Sequence, residues 1–258
     1  MTSDHKKSTR QRRSENSEPQ ATTLVQLAVN VEKFHDGDEA YAKVAQDDHL
    51  EVLRIGSKAF ETWLQKKYWE RFNSVPSTQA LKEAIGVLRS MAIFDAKQRT
   101  THVRIAGDDN VVWLDLANEK HQAVRIDANG WEIVDKPEPN FVRPRGMLPL
   151  PTPVRGGSLN ELRKLINVRD DYDWIMIVAW LVAAFRPRGP YPILIITGEQ
   201  GSAKSTLSRM LRSLIDPNKA ALRNAPKDER DLVIAAKNGQ VIALDNLSKI
   251  PESLSDAL

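Results

Sequence analysis

The sequence contains no cysteine, no long hydrophobic run and no cluster of histidines. Without cysteine, disulfide bonds and cysteine-based metal sites are excluded. The most apolar stretch, WIMIVAWLVAAF at 174–185, is much shorter than the roughly 20 residues that span a bilayer. We therefore expect a buried helix there, and a re-entrant membrane segment is the less favoured alternative. The polar N-terminus does not resemble a signal peptide, so we expect a cytoplasmic protein without a membrane partner.

Neither sign of charge dominates, because 37 Lys and Arg are set against 34 Asp and Glu, for a net charge of +3. Much of the basic excess lies in KKSTRQRR at 6–13. Residues 1–22 are polar and carry no apolar periodicity, which predicts a disordered, solvated tail. The alternative interpretation is a basic arm that contacts nucleic-acid phosphates.

An α+β region is predicted for residues 23–135. The runs AYAKV and HLEVLRI flank the turn-like QDDH and indicate a hairpin over 40–55. Apolar residues at helical spacing predict one helix over 57–72 and a second over 77–94. Strand-forming runs separated by turn-rich segments then predict an antiparallel meander: THVRIA, VVWLDLA, HQAVRI and WEIVD.

Two features of this half allow more than one interpretation. Trp113 and Trp131 can stack on nucleobases, but such residues more often pack a sheet face, and we favour packing. Residues 136–157 are rich in proline, which predicts a solvated linker or an extended strap between domains, with the linker as the default. This stretch is also basic through three arginines: Arg143, Arg145 and Arg155.

Residues 158–258 show an order of elements typical of α/β proteins. Two helices are predicted, near 159–166 and over 171–185, and the second is expected to be buried all round. The apolar run PILIITG at 192–198 predicts a central parallel strand with both faces covered. The loop GEQGSAKST follows directly, and STLSRMLRSLI then has the apolar spacing of an amphipathic helix.

The loop between this strand and this helix has the composition of a phosphate-binding loop. Its glycines allow tight turns that direct backbone N–H groups toward phosphate oxygens, and the helix N-terminus adds partial positive charge. Lys204 is placed to reach the β- and γ-phosphates of ATP, and Ser205 to ligate Mg²⁺. The predicted nucleotide-binding residues are Gly198, Glu199, Gln200, Gly201, Ser202, Ala203, Lys204, Ser205 and Thr206.

Alanine at position 203 departs from the usual pattern G-x-x-x-x-G-K-[ST], which has glycine before the lysine. The added methyl group costs little if the residue has a negative φ, and more if the loop requires a glycine conformation there. We expect a negative φ at Ala203.

A second apolar run supplies a partner for the loop. QVIALDN at 240–246 ends in Asp245, and a nucleotide site of this kind needs a carboxylate at the tip of a neighbouring strand to hold Mg²⁺. A strand at 220–223 and a helix at 228–237 complete the alternation between the two runs. The predicted metal ligands are therefore Ser205 and Asp245. Because the histidines are scattered, Mg²⁺ is the only metal that we infer.

These residues resemble the P-loop ATPases of the additional-strand class, which include AAA+ proteins and superfamily 3 helicases. The resemblance covers about 192–258 and extends to the primase-helicase-like ATPases of phages and plasmids. It implies an α/β P-loop NTPase half, a parallel sheet with flanking helices, preceded here by the α+β region with its meander. It also implies ATP and Mg²⁺ as cofactors, single-stranded DNA as a partner and assembly into a homo-oligomeric ring. The catalytic positions would be Lys204, Asp245 and Asn246.

Two departures from the family pattern affect the expected activity. Many such ATPases have a catalytic glutamate after the aspartate, whereas Asn246 follows here, and an amide is a poor general base. Glu199 is an alternative acid. The sequence also ends within an apparent helix, PESLSDAL, so we expect an incomplete sheet. Alternatives to a helicase-like motor are therefore an NTPase switch or small-molecule kinase, and a non-hydrolysing nucleotide- or nucleic-acid-binding module.

Overall fold

The computed structural model describes residues 18–46 and 49–247, which divide into two compact units. The first unit contains the described residues up to Val44 and then Val52–Thr100, and the second contains Ala45–Glu51 and the chain from Thr101 onward. The proline-rich stretch at 136–157 lies inside the second unit, so it does not coincide with the division between the units.

The first unit combines three helices with most of a three-stranded sheet of order β1-β2-β3, in which β1 and β2 are antiparallel. The end of β2 (45–46) and the start of β3 (49–51) are grouped with the second unit. Its elements are α1 (Gln20–Leu27), β1 (Glu32–Asp36), β2 (Glu39–Gln46), β3 (His49–Arg54), α2 (Lys58–Phe72) and α3 (Thr78–Ser90). The predicted hairpin is confirmed in β2 and β3, although its turn residues 47–48 lie outside the described residues. Strand β1 was not predicted. Helix α1 begins at Gln20, so the prediction of a disordered tail over 1–22 is wrong for its last three residues. Residues 1–17 of that predicted tail lie outside the described residues.

Local signals explain the positions of α2 and α3. The side chain of Ser57 accepts a hydrogen bond from the backbone N–H of Phe60, and Ser77 does the same for Ala80, so both helices begin at a side-chain cap. Helix α3 passes into a single π-helical turn at Met91–Asp95, which shortens the α-helix relative to the predicted end at 94. The inner faces form a core with fully buried members from every layer: Leu24, Val44, Phe60, Leu64 and Leu88.

The second unit begins with the predicted meander, which the structure confirms as an antiparallel sheet of order β5-β6-β7-β8. Its strands are β5 (Ile105–Gly107), β6 (Val112–Asp115), β7 (Ala123–Asp127) and β8 (Gly130–Val134). The first part of THVRIA separates from this sheet as β4 (Thr101–His102), which pairs in parallel with β9 (Asn140–Phe141). Trp113 is buried in the sheet core, and the guanidinium of Arg155 covers the ring of Trp131 at 4.7 Å, so both tryptophans have packing roles.

The 136–157 stretch packs within the second unit and is not a solvated linker. Phe141 and Leu150 are buried, and the guanidinium of Arg143 pairs with the carboxylate of Asp115. The backbone N–H of Leu148 donates to the carbonyl of Pro217 at 2.9 Å. The stretch is therefore a strap held by side-chain and backbone contacts inside one unit, and it does not connect two domains as predicted.

Four helices follow the strap, and all four were predicted. They are α4 (Leu159–Leu165), α5 (Asp171–Ala184), α6 (Lys204–Ile215) and α7 (Glu229–Lys237). The sequence predicted that α5 is buried all round, and this prediction is wrong. Ile177 and Leu181 are buried on one face, whereas Tyr172, Ile175 and Val182 are exposed on the other. None of the helices in the described residues is both long and apolar enough to cross a membrane.

The predicted parallel strands do not form as strands. Within the described residues, no strand is assigned at 192–198 or 240–246, and the sole parallel pairing there is a bridge between Arg223 and Leu244. Ile193 and Ile195 are 59% and 71% exposed, while Leu194 and Ile196 are partly buried. The expectation of a strand covered on both faces is therefore wrong for 192–198, because a segment without a ladder partner packs through one face alone.

We predict that Leu88→Ala destabilises the first unit by about 2–5 kcal/mol, because it leaves a cavity beneath α3. Leu88 is fully buried, whereas its neighbour Val87 is 48% exposed on the same helix. Val87→Ala is the matched control and is expected to change the free energy of unfolding by less than about 0.5 kcal/mol. Chemical denaturation of both variants measures the difference, and equal effects would contradict this packing.

Candidate nucleotide-binding site

The 198–206 loop joins the segment 192–197 to helix α6, and two of its glycines have backbone conformations that favour glycine. Gly201 has φ +84°, and Gly198 has φ +155°. A Cβ added to Gly198 would lie 2.8 Å from the Oγ of Ser202, so space as well as backbone conformation restricts this position. The loop therefore follows a tight path that most other residues would resist.

Ala203 has φ +63°, so the expectation of a negative φ at this position is wrong. It is the residue immediately before α6 and lies in the left-handed region, where a Cβ costs roughly 1–2 kcal/mol. The backbone N–H of Leu207 donates to the carbonyl of Ala203 at 2.9 Å, which ties this conformation to the first helical turn. The loop retains the glycine-like geometry although the sequence has alanine.

The N-terminus of α6 has no side-chain cap, whereas serine or aspartate caps begin each of the other helices from α2 onward in the described residues. The first N–H groups of any α-helix have no partner within the helix. At α6 these donors belong to the last residues of the 198–206 loop and carry the positive end of the helix dipole, an arrangement that suits an anion.

The ammonium group of Lys204 lies over the loop. Its Nζ donates to the carbonyls of Gly198 at 2.9 Å and Glu199 at 2.6 Å, and it lies 3.4 Å from the Oγ of Ser202. These acceptors are exposed loop groups, so an incoming anion can replace them without leaving a buried polar group unpaired.

The hydroxyl of Ser205 donates to the carboxylate of Asp245, and both carboxylate oxygens lie 2.9 Å from its Oγ. The two residues are 40 positions apart in sequence and were both predicted as metal ligands. The parallel bridge between Arg223 and Leu244 holds the segment that carries Asp245. A hydroxyl and a carboxylate in contact form a pair of hard oxygen ligands, which is the type of donor that Mg²⁺ prefers.

Asn246 lies beside this pair but does not extend it. Its backbone N–H donates to Asp245 Oδ1 at 3.1 Å, and its φ is +57°, a value that asparagine adopts more readily than most residues. The residue is exposed. It is therefore adjacent to the predicted metal ligands, in the position predicted from the sequence.

A pocket of about 810 Å³ adjoins the loop, within the usual range for small-molecule sites. Its floor is one face of α6, which presents Ser205, Ser208 and Arg212, and its walls include the segments 193–197 and 240–247. Six of the nine predicted nucleotide-binding residues line this pocket. The other three do not: Gly198, Glu199 and Thr206.

A buried ion pair that contacts the start of the 240–247 segment was not predicted from the sequence. Arg104 and Asp216 are fully buried, and Arg104 Nε lies 3.2 Å from Asp216 Oδ1. Burial lowers the pKa of Arg104, while the carboxylate of Asp216 acts in the opposite direction. Their separation of 112 positions left no local pattern in the sequence that would reveal the pair.

Two histidines in the described part of the second unit stack on each other. The rings of His49 and His121 stack with centroids 4.0 Å apart, and burial together with Arg143 lowers the pKa of His121 to about 4. In the described residues, no group of three or more His, Cys, Asp or Glu side chains is arranged to hold a metal ion. A Mg²⁺ site that combines one carboxylate with nucleotide phosphates does not require such a group.

Comparison with known proteins connects this part of the chain to replication. Residues 159–258 match the family described as actinomycete integrative conjugative element replication protein. The match covers less than half of the chain and includes the whole 198–206 loop and Asp245. A search of curated proteins finds no match. The family match supports the coarser form of the prediction, a replication protein of a mobile element, and it does not specify nucleotide binding or motor activity.

We predict that Ala203→Gly stabilises the second unit by about 0.5–1 kcal/mol. Relief of the left-handed strain exceeds the added flexibility of glycine in the unfolded chain. The control is Ala179→Gly on the exposed face of α5, which is expected to cost about 1 kcal/mol because glycine is a poor helix former. Thermal unfolding of the two variants should therefore shift in opposite directions, and destabilisation by Ala203→Gly would contradict the positive φ.

Proposed function

We propose that the chain binds ATP with Mg²⁺ at the 198–206 loop and forms the nucleotide-binding part of a nucleic-acid-dependent ATPase for mobile-element replication. The observation that carries this proposal is the contact between Ser205 and Asp245, with both carboxylate oxygens 2.9 Å from the hydroxyl. A glycine-rich turn before a helix is common in proteins. Loop formation alone does not explain why a carboxylate 40 positions away in sequence contacts a serine in the first turn of that helix.

In this proposal the loop and the helix terminus bind the phosphates. Backbone N–H groups at the start of α6 donate to phosphate oxygens, and the left-handed residues Gly201 and Ala203 turn the backbone into a concave surface. Lys204 exchanges its contacts with the Gly198 and Glu199 carbonyls for β- and γ-phosphate oxygens. The ammonium group then neutralises charge that accumulates on the phosphates during transfer.

Ser205 and Asp245 fit a magnesium ion, because each offers an oxygen ligand and the two are already in contact. When bound, Mg²⁺ would neutralise charge on the β- and γ-phosphates. Asp245 would orient this ion from the segment 240–245, and the hydroxyl of Ser205 would turn from the carboxylate toward it. Thr206 and the remaining loop residues act through their backbone.

Hydrolysis requires a group that orients the attacking water, and Asn246 is the side chain adjacent to Asp245. An amide accepts and donates hydrogen bonds but is a weak base, so this chain depends on positioning rather than on proton abstraction at that step. The asparagine favours one alternative, a module that binds nucleotide or nucleic acid without hydrolysing ATP. An NTPase switch or small-molecule kinase would instead transfer phosphate without a response to DNA.

Binding of ATP is expected to fall at least tenfold in Lys204→Ala, because the phosphates lose their one ammonium partner in the loop. Arg209→Ala is the control, since this cation is exposed on the same helix and does not line the pocket. Isothermal titration with Mg·ATP measures both variants against the wild type. Equal loss in the two variants would indicate a nonspecific effect of charge and would contradict the proposed site.

Single-stranded DNA is expected to increase the rate of ATP hydrolysis if the protein is a replication motor acting as a homo-oligomeric ring. A steady-state phosphate-release assay with and without DNA tests this, with Asp245→Asn as the inactive reference. Hydrolysis indifferent to DNA would favour the switch or kinase. ATP binding without any hydrolysis would favour the non-hydrolysing module. If Asn246→Glu then restored hydrolysis, Asn246 would be the cause of the missing activity.

A further inference from the structure

Asp216 is a buried carboxylate at the end of α6, and its two oxygens contact different parts of the second unit. Oδ1 accepts from Arg104 Nε at 3.2 Å. Oδ2 accepts from the backbone N–H groups of Gln240 at 2.9 Å and Val241 at 3.3 Å. A Cβ on Gly239 would lie 2.8 Å from the same oxygen, so glycine is needed for this close approach. Asp216 therefore holds the start of the segment that ends at Asp245.

Arg104 is itself fixed by contacts that do not involve Asp216. Its Nη1 donates to the carbonyl of Asp115 at 2.9 Å, and its Nη2 donates to the carbonyl of Leu148 at 2.7 Å. It follows β4 with φ +69° and has no exposed surface. The guanidinium is thus anchored to the meander and to the strap, and it neutralises a carboxylate whose burial alone would be strongly unfavourable.

The lengths of the two connected elements match. From Ser205 to Asp216, an α-helix rises about 16 Å at about 1.5 Å per residue. At full extension, the chain from Gln240 to Asp245 covers about 16 Å at about 3.3 Å per residue. Contacts at both ends, Asp216 with Gln240 and Ser205 with Asp245, therefore fix the 240–245 segment alongside α6 in one register.

We propose that Asp216, held by Arg104, is a positioning residue that sets the Asp245 carboxylate against Ser205 and thereby determines the Mg²⁺-dependent part of nucleotide binding. The inference rests on the proposed ATP site. It links that site to the meander, because Arg104 is hydrogen-bonded to the meander residue Asp115. Asp216 contacts no nucleotide in this arrangement. It acts through the backbone of Gln240 and Val241, about five residues from the metal ligand.

The experiment compares ATP affinity with and without Mg²⁺ in the wild type and in Asp216→Asn. An amide group cannot accept from Arg104 and from both backbone N–H groups at once, so the register of 240–245 is loosened. We expect the metal-free affinity to stay within about twofold, because the Lys204 loop is untouched, while the gain in affinity on adding Mg²⁺ falls at least tenfold.

Asp115→Asn is the matched control. Asp115 is also a buried carboxylate paired with an arginine, Arg143, but its side chain does not contact the 240–245 segment. This variant should lose stability and keep the Mg²⁺-dependent gain. If Asp216→Asn lowered both affinities equally, or if Asp115→Asn reduced the gain as much, Asp216 would be a structural residue only and the inference would be overturned.

Two further arms keep the test decisive. If Asp216→Asn does not fold, Arg104→Lys takes its place. This variant retains the positive charge but loses the planar guanidinium, and it should also reduce the Mg²⁺-dependent gain in ATP affinity. If the wild type binds no ATP, the proposed function fails, and hydrogen exchange then tests the positioning contact by itself. Faster exchange at 240–245 in Asp216→Asn than in Asp115→Asn supports it, and equal exchange contradicts it.

Discussion

The region around the candidate site depends on the burial of two opposite charges, Arg104 and Asp216, which stabilise each other where neither has exposed surface. Either charge alone would be expelled toward water or neutralised, at a cost of several kcal/mol. Together they hold the meander, the end of α6 and the start of the 240–245 segment at one place. The contact between Ser205 and Asp245 holds the other end of the 240–245 segment against the start of α6.

This constraint positions the 240–245 segment although it forms no ladder. A lone extended segment normally depends on neighbouring strands for its register. Here 240–245 is held by a carboxylate at its start, one parallel bridge at Leu244 and a serine hydroxyl at its end. The proposed nucleotide site therefore relies on side-chain contacts to a helix more than on sheet pairing.

Local signals in the sequence predicted much of this structure. The apolar spacing of α2 and α3 and the alternating runs of the meander each depend on nearby neighbours, so a pattern over a few residues was sufficient. The positive φ of Ala203 was missed because the residue type argued against it. The separation of β4 from the meander and the burial of Arg104 depend on distant partners, Asn140 and Asp216, which no local pattern specifies.

The most direct test of the central claim is a crystal structure of the protein with Mg²⁺ and a non-hydrolysable ATP analogue. The account predicts the β-phosphate within the 198–206 loop, Lys204 Nζ moved from the Gly198 carbonyl onto phosphate, and Mg²⁺ about 2.1 Å from the Ser205 hydroxyl. Nucleotide bound elsewhere in the chain would contradict the account. A loop that remained free of nucleotide at saturating concentration would contradict it equally.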